Sequence, residues 1–290
     1  MNGILLIDKE PGWTSNDVVM KLKGILHERR IGHSGTLDPM AVGLLVVFVG
    51  RATRAVEFAE HDRKRYLASL RLGIMTDTQD ITGNILEKTE THVTEAELAS
   101  VLDRFRGQQQ QVPPMYSAIR VGGKRLYEIA RKGGEVQRAP RSVTIHELRL
   151  LGREGEDWLL DVECSKGTYI RTLCHDIGQS LGCGGCMSAL RRTEAGAFSV
   201  ENALRIADVQ RLQDEGRLGE YLLPVDSLFS GEKSCTAAEN EARRIRCGSD
   251  YPTGLGDGLY RVYDRGGAFL MLGRAEAGVM KTVKSFFEVE

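Results

Sequence analysis

No part of this 290-residue chain is apolar for long enough to cross a bilayer as a helix. Its longest apolar run, residues 44–49, falls far short of the roughly 20 residues needed. The opening Met-Asn-Gly leads straight into a strand-like segment, without the basic stretch, apolar core and small-residue cleavage site of a secretory leader. A cytoplasmic protein with no membrane partner is expected. Six cysteines in such a chain do not suggest a disulfide framework. Cys183-Gly-Gly-Cys186 has no second Cys-x-x-Cys to complete a zinc site, so a structural role is expected and no metal. There is no Gly-x-Gly-x-x-Gly after a strand and no Walker A loop, which removes the usual dinucleotide and nucleoside-triphosphate chemistries. Gly32-His-Ser-Gly35 misses the Gly-x-Ser-x-Gly elbow of serine hydrolases by one residue. No internal repeat is visible, and no cofactor is expected.

Net charge is also nearly absent, at −1, which argues against a nucleic-acid binder until its distribution is considered. Residues 104–141 hold Arg104, Arg106, Arg120, Lys124, Arg125, Arg131, Lys132, Arg138 and Arg141 against only Glu128 and Glu135, a balance of +7. Arg51, Arg54, Arg63, Lys64, Arg65 and Arg71 form a second concentration. Clustered cations neutralise phosphates and release counterions whatever the charge of the whole protein. A solvated charged face is the plain alternative. The glycines and prolines around the first cluster favour RNA.

Among the acids, Asp38 stands apart. It lies in Gly-His-Ser-Gly-Thr-Leu-Asp-Pro-Met-Ala-Val-Gly, residues 32–43, just before the apolar, β-branched residues 44–49, which read as a buried strand. Pro39 disfavours the helical region for the residue before it, so Asp38 is expected to be extended. The glycines allow tight turns and close approach to a ligand. A lone carboxylate at a loop–strand junction suits chemistry, although a solvated turn aspartate has the same spacing. No partner acid stands out, as a glycosidase would need.

The pattern along the chain predicts a strand at 3–8 and a helix at 17–29 capped by Ser15 and Asn16. A short helix at 52–59 and a one-sided strand at 65–72 follow. Thr94-x-x-Glu97 opens a helix that Gly107 ends. The basic segment then carries Pro113-Pro114, Gly122-Gly123 and Gly133-Gly134 around a short helix at 125–132. Strands at 142–151 and 158–164 lead to a helix at 168–181, and 201–228 reads as mostly helical and acidic. From about 233 short strands and glycine turns take over. The prediction is an α+β chain: a first domain over 1–230 with an insertion at about 104–141, and a small β-rich domain over 231–290.

Several blocks together resemble the bacterial tRNA pseudouridine-55 synthases of the stand-alone type. They are residues 32–43; Gly3-Ile-Leu-Leu-Ile-Asp-Lys9 with Pro11-Gly-Trp-Thr-Ser15; Lys64-Arg-Tyr66 with Leu72-Gly73 and Thr76-Asp-Thr78; Pro113-Pro-Met-Tyr-Ser-Ala118 with Gly123-Lys-Arg-Leu-Tyr127 and Ala130-Arg131; Cys164-Ser-Lys-Gly-Thr-Tyr-Ile-Arg-Thr-Leu173; and Leu190-Arg-Arg192. They keep the family's order over roughly the first two hundred residues. The resemblance implies a catalytic domain built on a mixed β-sheet with flanking helices, an inserted RNA-clasping segment, and a small C-terminal pseudo-barrel. It implies isomerisation of uridine 55 in the T loop of tRNA without a cofactor. Monomeric action on the T arm, with no guide RNA, is the expectation. The related guide-RNA-dependent synthases lack this form of the Pro-Pro-Met-Tyr-Ser-Ala segment. An RNA-binding or tRNA-folding protein is the alternative from another class.

The resemblance also assigns roles. Asp38 is the catalytic acid and Arg171 its partner, able to meet both carboxylate oxygens. A cation at a helix start opposes the helix dipole, which favours a specific partner for it. Tyr66 and Tyr169 are aromatics for a flipped base and Leu190 an apolar wall; as isolated residues all three are ordinary core or interface packing. His33 helps hold the RNA loop open, and Lys9 supports the phosphates or the loop. Lys64, Arg120, Lys124, Arg125 and Arg131 meet RNA. Arg120 and Cys186 depart from the family pattern, which has lysine at the first position and often histidine at the second.

Overall fold

The computed structural model describes residues 1–59 and 63–287. Among these a nine-stranded mixed sheet runs through the centre. Gly3–Lys9, Val42–Val49, Gly185–Ala195, Lys64–Leu72, Asp157–Cys164, Arg141–Glu154 and Gly107–Gln111 lie side by side in that order, with Ile31–Ser34 and Phe198–Ser199 joined to the second and third. The pairings are antiparallel except one: residues 42–43 run parallel to 191–192. This is the expected mixed sheet with flanking helices.

The apolar strand Val42–Val49 is buried on both faces, as its composition requires. Leu45 and Val47 point with Leu5 and Ile7 towards the helix Ser15–Leu26, while Leu44, Val46 and Phe48 pack with Ile4, Leu6 and Ala52 on the other side. In Lys64–Leu72 the expected alternation holds: Tyr66, Ala68, Leu70 and Leu72 are buried and Leu67 is exposed. Helices Ile170–Ser180 and Glu95–Asp103 cover that half of the sheet around Leu70, Leu98, Leu102, Leu160 and Ile177.

Several boundaries differ from the sequence reading. Thr14, not Ser15 or Asn16, caps the first helix: Asp17 N donates to Thr14 Oγ1 at 3.0 Å and Thr14 N to Asp17 at 2.8 Å. That helix stops at Leu26 because His27 turns left-handed at φ 50°. Residues 31–34 are a strand inside the segment read as loop. Gly107 begins a strand rather than ending a helix, and the glutamine run pairs with Arg141–Thr144. The basic insertion contains a hairpin, Arg120–Val121 with Lys124–Arg125, and a helix over Leu126–Ala130. Between 201 and 228 only Ile206–Asp214 is α-helix; the rest is short 3-10 turns and connections. Residues 185–195 form a long central strand that the glycine- and arginine-rich sequence concealed.

From Lys233 a second sheet follows, ordered Lys233–Thr236, Gly258–Tyr263, Phe269–Glu276, Val279–Ser285 and Tyr251–Pro252, with the helix Glu239–Arg246 beside it. It shares a core with the first sheet. Phe229 meets Phe58 edge-on at 5.3 Å and lies 6.0 Å from Phe286, and Lys284 bonds Glu57 at 2.6 Å. Among the described residues no helix is long and apolar enough to cross a membrane.

Candidate active site

The loop carrying Asp38 is clamped on every side. Before it, Leu37 exchanges two hydrogen bonds with the buried Ser15 hydroxyl, donating at 2.8 Å and accepting at 3.2 Å. After it, the Pro39 carbonyl accepts from Gly12 N at 2.8 Å and from Lys9 Nζ at 3.2 Å. Arg192, 1% exposed, ties the two ends together: its Nε donates to Leu44 O at 2.6 Å and its Nη2 to Gly35 O at 2.9 Å. Gly43 is required where this loop enters its strand. Its φ is +98°, and a Cβ there would lie 2.3 Å from the Arg192 carbonyl oxygen.

The Asp38 side chain projects from this clamp onto Arg171, at the start of the helix Ile170–Ser180. Arg171 Nε lies 2.9 Å from Oδ2, and Nη2 donates to Oδ1 at 3.2 Å, a two-point pair. Arg171 is itself buried and fully engaged. Its Nη1 donates to Thr78 O at 2.9 Å and lies 3.7 Å from Asp80 Oδ2, while Nη2 also donates to Tyr116 O at 2.8 Å. Asp38 keeps 37% of its side chain exposed although protein atoms crowd around it. That crowding pushes its carboxyl above the ordinary carboxylate value. Arg171 pulls it back by charge and hydrogen bond, Asp80 pushes it up again, and Lys9 lowers it slightly.

Around this pair the structure assembles most of the residues singled out from the sequence. Tyr66 and Leu190, each 7% exposed, share a cluster with Leu37, Ala41 and Ile170. Burial raises the Tyr66 hydroxyl while Arg192 beside it pulls it down, so the ring is neutral. Tyr169 precedes Arg171, and burial raises its hydroxyl too. Lys9 is 1% exposed and turns inward, donating to the carbonyls of Glu10, Trp13 and Pro39: it supports the loop rather than offering itself to phosphates. Burial lowers its pKa to about 8, partly offset by Asp38. His33 lies on Ile31–Ser34 opposite Val47. Burial and Arg192 lower its pKa, and its Nδ1 is buried without a hydrogen-bond partner among the described residues.

The basic residues divide. Arg120, Lys124, Arg125 and Arg131 are exposed on the insertion, with Arg125 and Arg131 lying 5.8 and 5.3 Å from the Tyr127 ring centre. Lys64 is buried, its chain passing Gly35 under the loop. Arg65 and Arg71, counted with the second basic concentration, pair with Asp161 and Asp157 across the sheet. Cys186 is buried on a central strand and burial raises its thiol to about 11, leaving it protonated and unreactive.

Sequence reasoning missed four contributors. Asp80 lies two residues beyond the Thr76-Asp-Thr78 block; its Oδ1 accepts from Thr78 Oγ1 at 3.0 Å and Thr82 N at 3.0 Å, which leaves Oδ2 towards Arg171. The threonines two residues to either side of it were the available signal. Ser15, Gln111 and Arg192 act through backbone contacts distant in sequence, which spacing does not reveal.

Two family models match the chain: the N-terminal domain of the TruB family pseudouridylate synthases over residues 23–170, and the C-terminal domain of tRNA pseudouridylate synthase B over residues 171–230. A protein of Clostridium kluyveri named tRNA pseudouridine synthase B is 39% identical over 292 residues, covering 99% of this chain and all of that protein. One of the same name from Aromatoleum aromaticum is 43% identical over 277 residues, covering 95% and 89%. Among solved structures, a Cbf5-Nop10-Gar1 complex is similar with a TM-score of 0.75 and 26% identity, covering 98% of this chain and 85% of that one. An H/ACA RNP bound to a substrate RNA containing 2'-deoxyuridine gives a TM-score of 0.74 at 26% identity, covering 99% and 85%. With its mixed sheet, its clamped aspartate and matches over nearly its whole length, the chain belongs to the TruB family of pseudouridylate synthases.

Proposed function

We propose that this enzyme acts at uridine 55 in the T loop of tRNA, as a cytoplasmic monomer without a guide RNA, and that Asp38 is the carboxylate that reacts. The isomerisation of uridine to pseudouridine in tRNA is the activity of its family. The observation that carries the reading of Asp38 is its two-point pair with a buried arginine, the carboxylate itself staying partly exposed. The reaction breaks the bond from the ribose carbon to N1 of the base and reattaches that carbon to C5; C5 then gives up its proton and N1, freed from the sugar, takes one up. No electron is gained or lost. One ionised carboxylate acting as nucleophile or base suffices. Arg171 holds it ionised and oriented; Tyr66, Tyr169 and Leu190 offer ring and apolar surface to a base taken out of its stack. The small C-terminal sheet and the insertion are read as RNA-holding parts.

Identity favours the tRNA-acting reading over a guide-dependent one: 39% and 43% with proteins named tRNA pseudouridine synthase B, against 26% with the Cbf5 complex. Two measurements test the proposal. Purified enzyme alone should convert one uridine in an unmodified T-arm stem–loop, mapped to position 55; product elsewhere, or none without an added RNA, would overturn it. Replacing Lys124, Arg125 and Arg131 with alanine should weaken tRNA binding and flatten its salt dependence by about 0.7–0.9 log units of slope for each phosphate no longer neutralised. An unchanged slope would make these charges a solvated face.

A further inference from the structure

Gln111 ends the strand Gly107–Gln111 and is the one buried member of its glutamine run, at 5% exposure. A buried primary amide is costly unless its donors and acceptors are met. This one closes on a single residue. Tyr169 N donates to its Oε1 at 2.8 Å, and its Nε2 donates to Tyr169 O at 3.0 Å. Tyr169 is the N-cap of the helix Ile170–Ser180, and its own side chain supplies no capping bond. The start of that helix is therefore fixed from a distant strand, and Arg171 is the second residue in it.

The same segment also holds Arg171 directly, through the Tyr116 carbonyl at 2.8 Å. Between the two anchor points lie the buried Pro113 and Pro114, whose fixed φ stiffens the connection. The root of the basic insertion is thus bonded at two points to the residues that present the guanidinium to Asp38.

We propose that Gln111 is a positioning residue for the isomerisation: by bracketing the Tyr169 peptide it sets the direction from which Arg171 meets Asp38. The inference rests on the reading of Asp38 as the reacting carboxylate. Gln111 does not touch the Asp38–Arg171 pair; it acts through Tyr169. A displacement of the order of 1 Å in such a pair costs up to about 100-fold in rate.

Single-turnover kinetics on an unmodified tRNA transcript test this with Gln111→Met, equal in length but without polar atoms, and Gln111→Glu, which keeps the acceptor for the Tyr169 N–H. In Q111M the rate of isomerisation should fall by about 10- to 100-fold, with the tRNA dissociation constant within about threefold, since phosphate contacts elsewhere dominate affinity. Q111E should lose about 3- to 10-fold, the worth of one hydrogen bond. A purely structural role would lower the reaction amplitude by reducing folded enzyme and leave the rate of the active fraction unchanged. A wild-type rate in Q111M, or a loss of amplitude alone, overturns the proposal. If Q111M does not fold, Q111E decides in the same way. Asp38→Asn is run beside them: activity there removes the reading of Asp38, whereas a wild-type rate in Q111M removes only the role of Gln111.

Discussion

Replacing Asp38 with asparagine is expected to stop pseudouridine formation while leaving tRNA bound. The amide has the size of the carboxylate but neither its charge nor its nucleophilic oxygen. Turnover should fall by at least about 10³-fold, the range associated with loss of a nucleophile or general base. The backbone has no reason to move. Leu37 stays tied to Ser15, Pro39 to Lys9 and Gly12, and the loop ends to Arg192, and none of these bonds uses the Asp38 side chain. Affinity should hold, because it comes mainly from phosphate contacts. Arg171 keeps Asp80, Thr78 O and Tyr116 O as partners, which limits the cost of losing its pair with Asp38. Pseudouridine formation in a T-arm stem–loop, measured beside a binding titration and a melting curve, checks this. More than a tenth of wild-type activity would remove Asp38 from the chemistry. Joint loss of folding and binding would instead make it a turn aspartate.

What the sequence disclosed follows from how local each signal is. Asp38 stood out because glycines, a proline and the β-branched run 44–49 surround it, each acting on its immediate neighbours. A solvated turn aspartate has the same spacing, however, and the role of Asp38 came from the family resemblance. The strand at 64–72 and the helix opened by Thr94 were legible because period-two alternation and a capping box are written in consecutive positions. The strand Gly185–Ala195 was not. Its glycine, serine and arginines suit a central strand poorly, and what makes it one is the company of Lys64–Leu72 along its length and of residues 42–43. Lys9 and Lys64 show the limit for side chains. Lys64, read as an RNA contact, lies buried beside Gly35, and Lys9, read as supporting either the phosphates or the loop, takes the second part with three backbone carbonyls around its ammonium. Arg192 stands in a motif that gives it no role by itself, because its partners at Gly35 and Leu44 are about 150 residues away. The pairing of Asp38 with Arg171 was an expectation from the family resemblance; the network that holds the two together is tertiary.

That network makes the second large effect specific in sign as well as size. Replacing Arg171 with methionine should lower activity at neutral pH by at least about 10²-fold and move the acid limb of the pH–rate profile upward. Asp38 must be ionised to act, so the rate rises with pH as the carboxyl loses its proton. Burial and Asp80 already hold that carboxyl above its ordinary value, and Arg171 is the main influence drawing it down. Without the guanidinium, burial and the charge of Asp80 both favour the protonated form with Lys9 offsetting them, and Asp38 keeps its proton to higher pH. Part of the activity should therefore return as pH rises, up to about 8, where Lys9 loses its own charge. Arg171→Lys separates charge from geometry. An ammonium restores the positive charge but not the planar fork that meets both Asp38 oxygens and reaches Thr78 and Tyr116. Its acid limb should lie near that of the wild type while its maximal rate stays about 10-fold or more below it, as misorientation alone would produce. Single-turnover rates across pH 5–9, on variants shown to bind tRNA, read both quantities at once. An acid limb in R171M that coincides with the wild type would mean that Arg171 does not govern the ionisation of Asp38, and that its place beside the carboxylate serves the fold instead.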